Sequence, residues 1–156
     1  MCSSDLSVKG YVDIVIYAVE NGYNWNDEIY FNAINNNHIN ILKYGISKGY
    51  TCRSYCSVLL TYNNDLENLK YIFENGCSLD PCLCEIAASI GNLEIIQFAK
   101  ENECFWNKYV SFNAAQFKHY NLLFWILDNK CPYDSELTAV VASNKDRKST
   151  RLNSSH

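Results

Sequence analysis

Ala87-Ala88-Ser89-Ile90-Gly91-Asn92-Leu93-Glu94-Ile95-Ile96-Gln97-Phe98 decides how this chain folds, because every part of it returns with one fixed period, the step from Leu66 to Leu93. Leu93 belongs to the column Val12, Ile39, Leu66, Leu93, Tyr120, and Ile96 to the column Val15, Leu42, Leu69, Ile96, Leu123. Phe98 falls in a wholly aromatic column, Tyr17, Tyr44, Tyr71, Phe98, Trp125, followed by Ala18, Gly45, Ile72, Ala99 and Ile126. A little further on, Tyr23, Tyr50, Cys77, Cys104 and Cys131 repeat with no slip. Taken together the columns describe an apolar stripe at helical spacing, so the second half of each unit is expected to be an amphipathic helix. Leu93 is expected in its core, where truncation to alanine would cost about 2–5 kcal/mol.

Gly22, Gly49 and Gly76 follow three of these helices, as suits a left-handed helix end. Glu103 and Lys130 replace the glycine in the last two units, whose helix ends are expected to be less well capped. Next comes a turn in which Trp25, Cys52, Leu79, Trp106 or Tyr133 precedes Asn26, Arg53, Asp80, Asn107 or Asp134. Four of those five are good N-caps, and Asp80-Pro81 gives the clearest start for a first helix of about ten residues. That first helix carries small residues at Ala33, Ala87 and Ala114, beside Ile34, Ala88 and Ala115, and Gly91-Asn92 exemplifies the polar link to the second helix. One such pair cannot bury its apolar face alone, so neighbouring units must stack. The expected fold is all-α: a helical repeat solenoid of about five helix-turn-helix units. Their approximate bounds are 1–26, 27–53, 54–80, 81–107 and 108–134, with a partial unit at 135–145.

The stretch 87–98, Glu74-Asn75-Gly76-Cys77, and the turns Cys104-Phe105-Trp106-Asn107 and Cys131-Pro132-Tyr133-Asp134 resemble ankyrin repeats. They are most similar to the short ankyrin-like repeats of giant DNA viruses and some protists, and the resemblance covers residues 9–142. Two features depart from the general ankyrin unit: the period is 27 residues rather than about 33, and the Thr-Pro-Leu-His helix start is missing. A shortened or missing β-hairpin between units is therefore expected. Twenty asparagines fit AT-rich coding DNA of such a source.

Residues 146–156, Asp-Arg-Lys-Ser-Thr-Arg-Leu-Asn-Ser-Ser-His, back-translate to a string resembling a sequencing-library adapter. They are set aside as a non-native, disordered tail, and the native chain is expected to continue past Lys145. Without the tail's three basic residues and one acidic residue, the formal charge moves from −4 to −6. No basic stripe is left to meet a phosphate backbone, so nucleic acid is not an expected partner. Leu122 to Leu127 is far shorter than the roughly 20 apolar residues of a membrane span, and the start lacks a signal pattern. No membrane association is expected, and the protein should be cytoplasmic, in the host cytoplasm if viral. Its eight cysteines are then expected to be reduced and to pack as small apolar side chains.

Cys77, Cys82 and Cys84 form a C-x4-C-x-C cluster, and soft thiolates this close in sequence can hold zinc. The spacing lacks the usual C-x2-C, and Cys77 and Cys84 occupy repeat columns filled elsewhere by Tyr23, Tyr50, Tyr30, Ser57 and Ser111, which reads as packing. His38 and His119 are the candidate partners for a cysteine nucleophile, but they share one column with Asp65 and Asn92 at the start of the second helix. That column reads as helix-terminus chemistry. Glu67 and Glu94 are repeat equivalents in first turns, where negative charge suits the helix dipole. No phosphate-binding glycine loop is present, and no catalytic residue, metal or cofactor is assigned.

Binding is expected on the first helices. The resemblance places Glu28, Tyr55, Cys82 and Tyr109, then Phe31, Val58, Glu85 and Phe112, then Asn35, Tyr62, Ser89 and Gln116 on an inner, concave side. The candidate site residues are Tyr55, Tyr62, Tyr109, Phe112, Phe31, Glu28 and Glu85, since aromatics anchor protein interfaces. The expected function is that of a monomeric protein-protein interaction scaffold, not an enzyme, with a protein or peptide partner. The alternatives are the substrate-recognition arm of a larger adaptor, such as a ubiquitin-ligase receptor, and, last, a cysteine-based metal protein or enzyme.

Overall fold

Helix ends repeat in space as the residues repeat in sequence. In the computed structural model, which describes the backbone of residues 3–152 and the side chains of residues 11–143, ten α-helices and no strand are found among the described residues. The chain divides into two compact units, Met1–Asp80 and Pro81–His156, and the division falls on a boundary of the repeat. The first holds α1 (Ser3–Glu20), α2 (Asp27–Asn35), α3 (Ile39–Ser47), α4 (Tyr55–Tyr62) and α5 (Leu66–Glu74). The second holds α6 (Leu83–Ile90), α7 (Leu93–Glu101), α8 (Lys108–Gln116), α9 (Tyr120–Asp128) and α10 (Ser135–Leu152). The second helices α3, α5, α7 and α9 each start and stop one full period after the one before.

Within the first unit α2 packs on α3 and α4, α4 on α5, and α1 on α3; within the second α6 packs on α7 and α8, and α8 on α9 and α10. Fully buried Tyr30, Ile34, Leu42, Leu60, Leu69 and Ile72 fill the first core. Leu83, Ile95, Ile96, Val110 and Ile126 fill the second. At each first-helix end the chain turns through a left-handed residue, Asn37, Asn64, Gly91 or Lys118. The next N–H then reaches back to the helix: His38 to the Ala33 carbonyl at 2.7 Å, Asp65 to Leu60 at 2.9 Å, Asn92 to Ala87 at 3.0 Å, His119 to Ala114 at 2.8 Å. This is the bond pattern of a Schellman end. It recurs after the second helices, where Tyr50, Cys77, Cys104 and Cys131 donate to Gly45, Ile72, Ala99 and Ile126.

Glu103 and Lys130 therefore adopt the same left-handed backbone as the glycines they replace, at φ 58° and 62°. A side chain in that region costs about 1–2 kcal/mol. Glu103 also sets a negative charge at the negative end of the α7 dipole. Glu103→Gly is expected to stabilise the protein by about 0.5–1 kcal/mol once the freer unfolded chain is allowed for. The measurement is the urea midpoint at constant m-value, and a lower midpoint would refute the assignment.

Two sequence expectations are corrected. Asn26, Asn107 and Asp134 do cap, accepting from the N–H groups of Ile29, Tyr109 and Glu136. Helix α6, by contrast, begins at Leu83 rather than at Pro81; the Asp80 carboxylate accepts from Ser54 Oγ at 3.0 Å and its N–H donates to Ser57 Oγ, tying it to α4 and its lead-in. Arg53, the one turn residue of the five not expected to cap, precedes α4, which begins at Tyr55, and its guanidinium lies 3.3 Å from Asp27. Leu93, expected in the core, is 37% exposed. The buried face of α7 is Ile95, Ile96 and Ala99, and Leu93 lies roughly 110° round the helix from its middle at about 100° per residue.

Helix α10 runs on through residues 146–152, with no glycine or proline after Ser135 to end it. The side chains of that tail, and all of residues 153–156, lie outside the described residues.

Candidate functional site

In the first unit the outward positions of the first helices separate into free and committed side chains. Phe31 on α2 and Tyr62 at the end of α4 are 48% and 59% exposed, and Glu28 is exposed beside them in sequence. Tyr55 is half-buried, and its hydroxyl donates to the Asp27 carbonyl at 2.7 Å, which ties the start of α4 to the start of α2. Burial raises its pKa above the ordinary tyrosine range, so it remains a neutral donor.

In the second unit Tyr109 on α8 is 48% exposed, with Lys108 Nζ 5.3 Å from its ring centre. The same ammonium bonds Asp134 at 2.7 Å, and that pairing raises the lysine pKa and lowers that of the aspartate. Phe112 is half-buried. Glu85 is committed: its carboxylate accepts from Asn107 Nδ2 at 2.6 Å and its carbonyl from Asn113 Nδ2 at 3.0 Å, so it joins α6 to α8. Of the candidate aromatics, Phe31 and Tyr62 in the first unit and Tyr109 in the second are exposed, whereas Phe112 is half-buried and Tyr55 and Glu85 are bonded to neighbouring helices or the turns before them.

The cysteines serve the same structural end. Cys77 Sγ lies 3.3 Å from both the Cys52 and Arg53 carbonyls, and Cys131 Sγ donates to the Asn107 carbonyl at 3.2 Å, so each latches onto the turn before its unit's first helix. Cys77 lies in the first unit, Cys82 and Cys84 in the second. No group of three His, Cys, Asp or Glu side chains suited to a metal ion occurs among the described residues, nor does any disulfide. For Cys52 a hydrogen bond with Cys56 favours the thiolate, but one with Cys77, together with burial, outweighs it and pushes the thiol up to about 12. Burial pushes Cys131 up to about 11, and hydrogen bonds to Cys52 and Cys104, reinforced by burial, raise Cys56 and Cys84 further. Near neutral pH these four are thiols, which are poor nucleophiles and poor metal ligands.

The polar column at the second-helix starts splits. Asp65 and Asn92 cap, accepting from Asn68 N at 3.1 Å and Ile95 N at 2.8 Å. His38 and His119 make no side-chain cap. The His38 ring lies tilted against Tyr11 with ring centres 4.7 Å apart, and His119 Nε2 sits 2.9 Å from the Ser89 carbonyl.

No family model, curated protein or solved structure matches this chain.

Sequence reasoning missed one cluster in the second unit. Lys100 Nζ lies 5.7 Å from the Trp106 ring and 5.5 Å from the Trp125 ring, which meet edge-to-face at 6.4 Å, and it donates to Asn129 Oδ1 at 2.6 Å. Gln97, Glu101 and Asn129 line the open hollow of about 370 Å3 beside it. A signal was present: the first unit has the same contact three repeats earlier, Trp25 against Tyr44 at 6.0 Å. The recurrence marks it as packing between turn and second helix. Cation–π contact with an internal lysine then holds the corner closed.

Proposed function

We propose that the chain is an array of short ankyrin-like helical repeats that works as a protein-protein interaction scaffold, holding a protein or peptide partner on the first-helix surface. The observation that carries the reading is the exposure of Phe31, Tyr62 and Tyr109 on first helices that are anchored by fully buried residues such as Tyr30, Leu60 and Val110. Large aromatics on rigid helices lose little entropy when a partner covers them, which is why they anchor interfaces. The periodic recurrence of helix bounds and left-handed turns supports the repeat reading. Acidic net charge favours a partner whose contact surface is not itself acidic.

The test is a Phe31→Ala, Tyr62→Ala, Tyr109→Ala triple variant. All three side chains stand in solvent, so the circular-dichroism spectrum and urea midpoint should match the parent. A partner captured by the parent and then purified should bind the variant about 30-fold or more weakly, since one true anchor is worth about 2 kcal/mol. Undiminished binding by a folded variant would place the partner elsewhere.

A further inference from the structure

The first repeat fills the junction of turn, first helix and second-helix end with the bulky Trp25, Ile29 and Tyr50. The third and fourth repeats keep two bulky residues there, Leu79 and Leu83 beside Cys104, and Trp106 and Val110 beside Cys131. The second repeat alone has sulfur at all three positions, Cys52, Cys56 and Cys77. These positions lie close together: in the first repeat the Trp25 and Tyr50 rings, equivalents of Cys52 and Cys77, stack 4.8 Å apart at an interplanar angle of 2°. In the second repeat Cys77 Sγ lies 3.3 Å from the Cys52 carbonyl, and the Cys52 thiol shares hydrogen bonds with those of Cys56 and Cys77. Cys56 and Cys77 are buried and Cys52 is half-buried, so Cys52 is the member of the cluster that a solute can reach.

Reduced thiols in mutual contact, with one of them open to solvent, are the arrangement in which thiol–disulfide exchange can run within a folded chain. We propose that Cys52 and Cys77 form a reversible disulfide when the folded protein meets a small-molecule disulfide, clipping the lead-in of α4 to the residue that closes the end of α5. None of the three thiols belongs to the first-helix surface proposed to hold a partner.

With oxidised glutathione as the oxidant, the Cys52 thiolate attacks one of its sulfurs, a Cys52–glutathione disulfide forms, and the first glutathione leaves as a thiolate. The Cys77 thiolate then attacks the Cys52 sulfur, the mixed disulfide breaks, and the second glutathione leaves. Two cysteines are oxidised, one glutathione disulfide is reduced to two thiols, and the two protons given up by the cysteines end on them. Cys77 is the resolving residue because its sulfur already lies against the Cys52 backbone. The Cys52 thiol is held up at about 12, so the first step is slow near neutral pH and quickens about tenfold per unit of pH below that value.

The experiment incubates the folded full chain with about 5 mM oxidised glutathione at about pH 9, quenches with acid, blocks the remaining thiols and maps the disulfides by mass spectrometry. A tryptic cut after Arg53 separates Cys52 from Cys56, and a cut before Asp80 separates Cys77 from Cys82 and Cys84. The expected product has Cys52 bonded to Cys77 and a urea midpoint above that of the reduced chain, because the clip restricts the unfolded state. Dithiothreitol should reverse both. Cys56→Ala should keep the bridge, whereas Cys52→Ala should lose it together with the midpoint shift. Recovery of Cys52 and Cys77 as free thiols overturns the proposal, as does Cys52 bonded to Cys56 or left as an unresolved glutathione adduct. The mapping is made on the parent chain, so it decides the matter even where a variant fails to fold.

Discussion

Ile96→Ala should lower stability by about 2–5 kcal/mol, the usual cost of removing most of a large aliphatic side chain from a closed core. Ile96 is fully buried in the middle of the inward face of α7, between Ile95 and Ala99. Its helix neighbours cannot close the hole, because α7 is held at its start by the Asn92 cap and at its end by the Cys104 to Ala99 hydrogen bond at 2.9 Å. Urea unfolding followed by circular dichroism should report a lower midpoint. Leu93→Ala, one turn away, is the control: with 37% of its surface already in solvent it loses less burial than Ile96, and its cost should stay at about 1–2 kcal/mol. Equal losses at the two positions would mean that the buried face of α7 is misassigned.

Gly91→Ala should be about as damaging, at roughly 2–5 kcal/mol, for two separable reasons. Gly91 sits at φ 79°, where an alanine side chain costs about 1–2 kcal/mol. Its Cβ would also come within 2.6 Å of His119 Cε1, and His119 is not free to swing away, since Nε2 is held 2.9 Å from the Ser89 carbonyl. Forcing the ring aside adds about 1–3 kcal/mol of overpacking. Gly49→Ala separates the two terms. Gly49 has nearly the same φ, 78°, but open space where its Cβ would lie, so only the backbone cost applies. Gly91→Ala no worse than Gly49→Ala would show that the histidine ring moves freely.

The core stripe of the second helices shows how far sequence can be followed. The Leu42, Leu69, Ile96, Leu123 column and the Gly45, Ile72, Ala99, Ile126 column read as core and are buried. A third buried column, Ile41, Asn68, Ile95 and Leu122, escapes a reading of periodicity because Asn68 breaks its apolar character. Asn68 is tolerated there because its Nδ2 bonds Asp65 Oδ2 at 2.8 Å, a contact that periodicity cannot reveal. With that column unseen, the stripe is drawn one side too far round and takes in Leu93. At the candidate site the outward columns hold exposed aromatics as a group, but sequence cannot tell free Tyr62 from Tyr55, whose hydroxyl is spent on Asp27.

Periodic and local features are fully written in the residues: the repeating unit, two helices within it, left-handed turns at their ends, and helices without strands among the described residues. These follow from chain neighbours, because a helix end or an asparagine cap is settled within one turn of helix. Which polar groups are already engaged is legible only in three dimensions. Asp80, a helix-start signal in sequence, bonds Ser54 Oγ in space, and Gly45, an apparent weak point in α3, leaves room for the Trp25 ring, whose Cε2 and Cη2 would lie 2.8 Å from any added Cβ. Cys77 is a possible ligand in sequence and a latch onto the Cys52 and Arg53 carbonyls in space. Each outcome depends on a partner most of a repeat away along the chain. Repetition places such partners nearby, but it does not state which atom meets which.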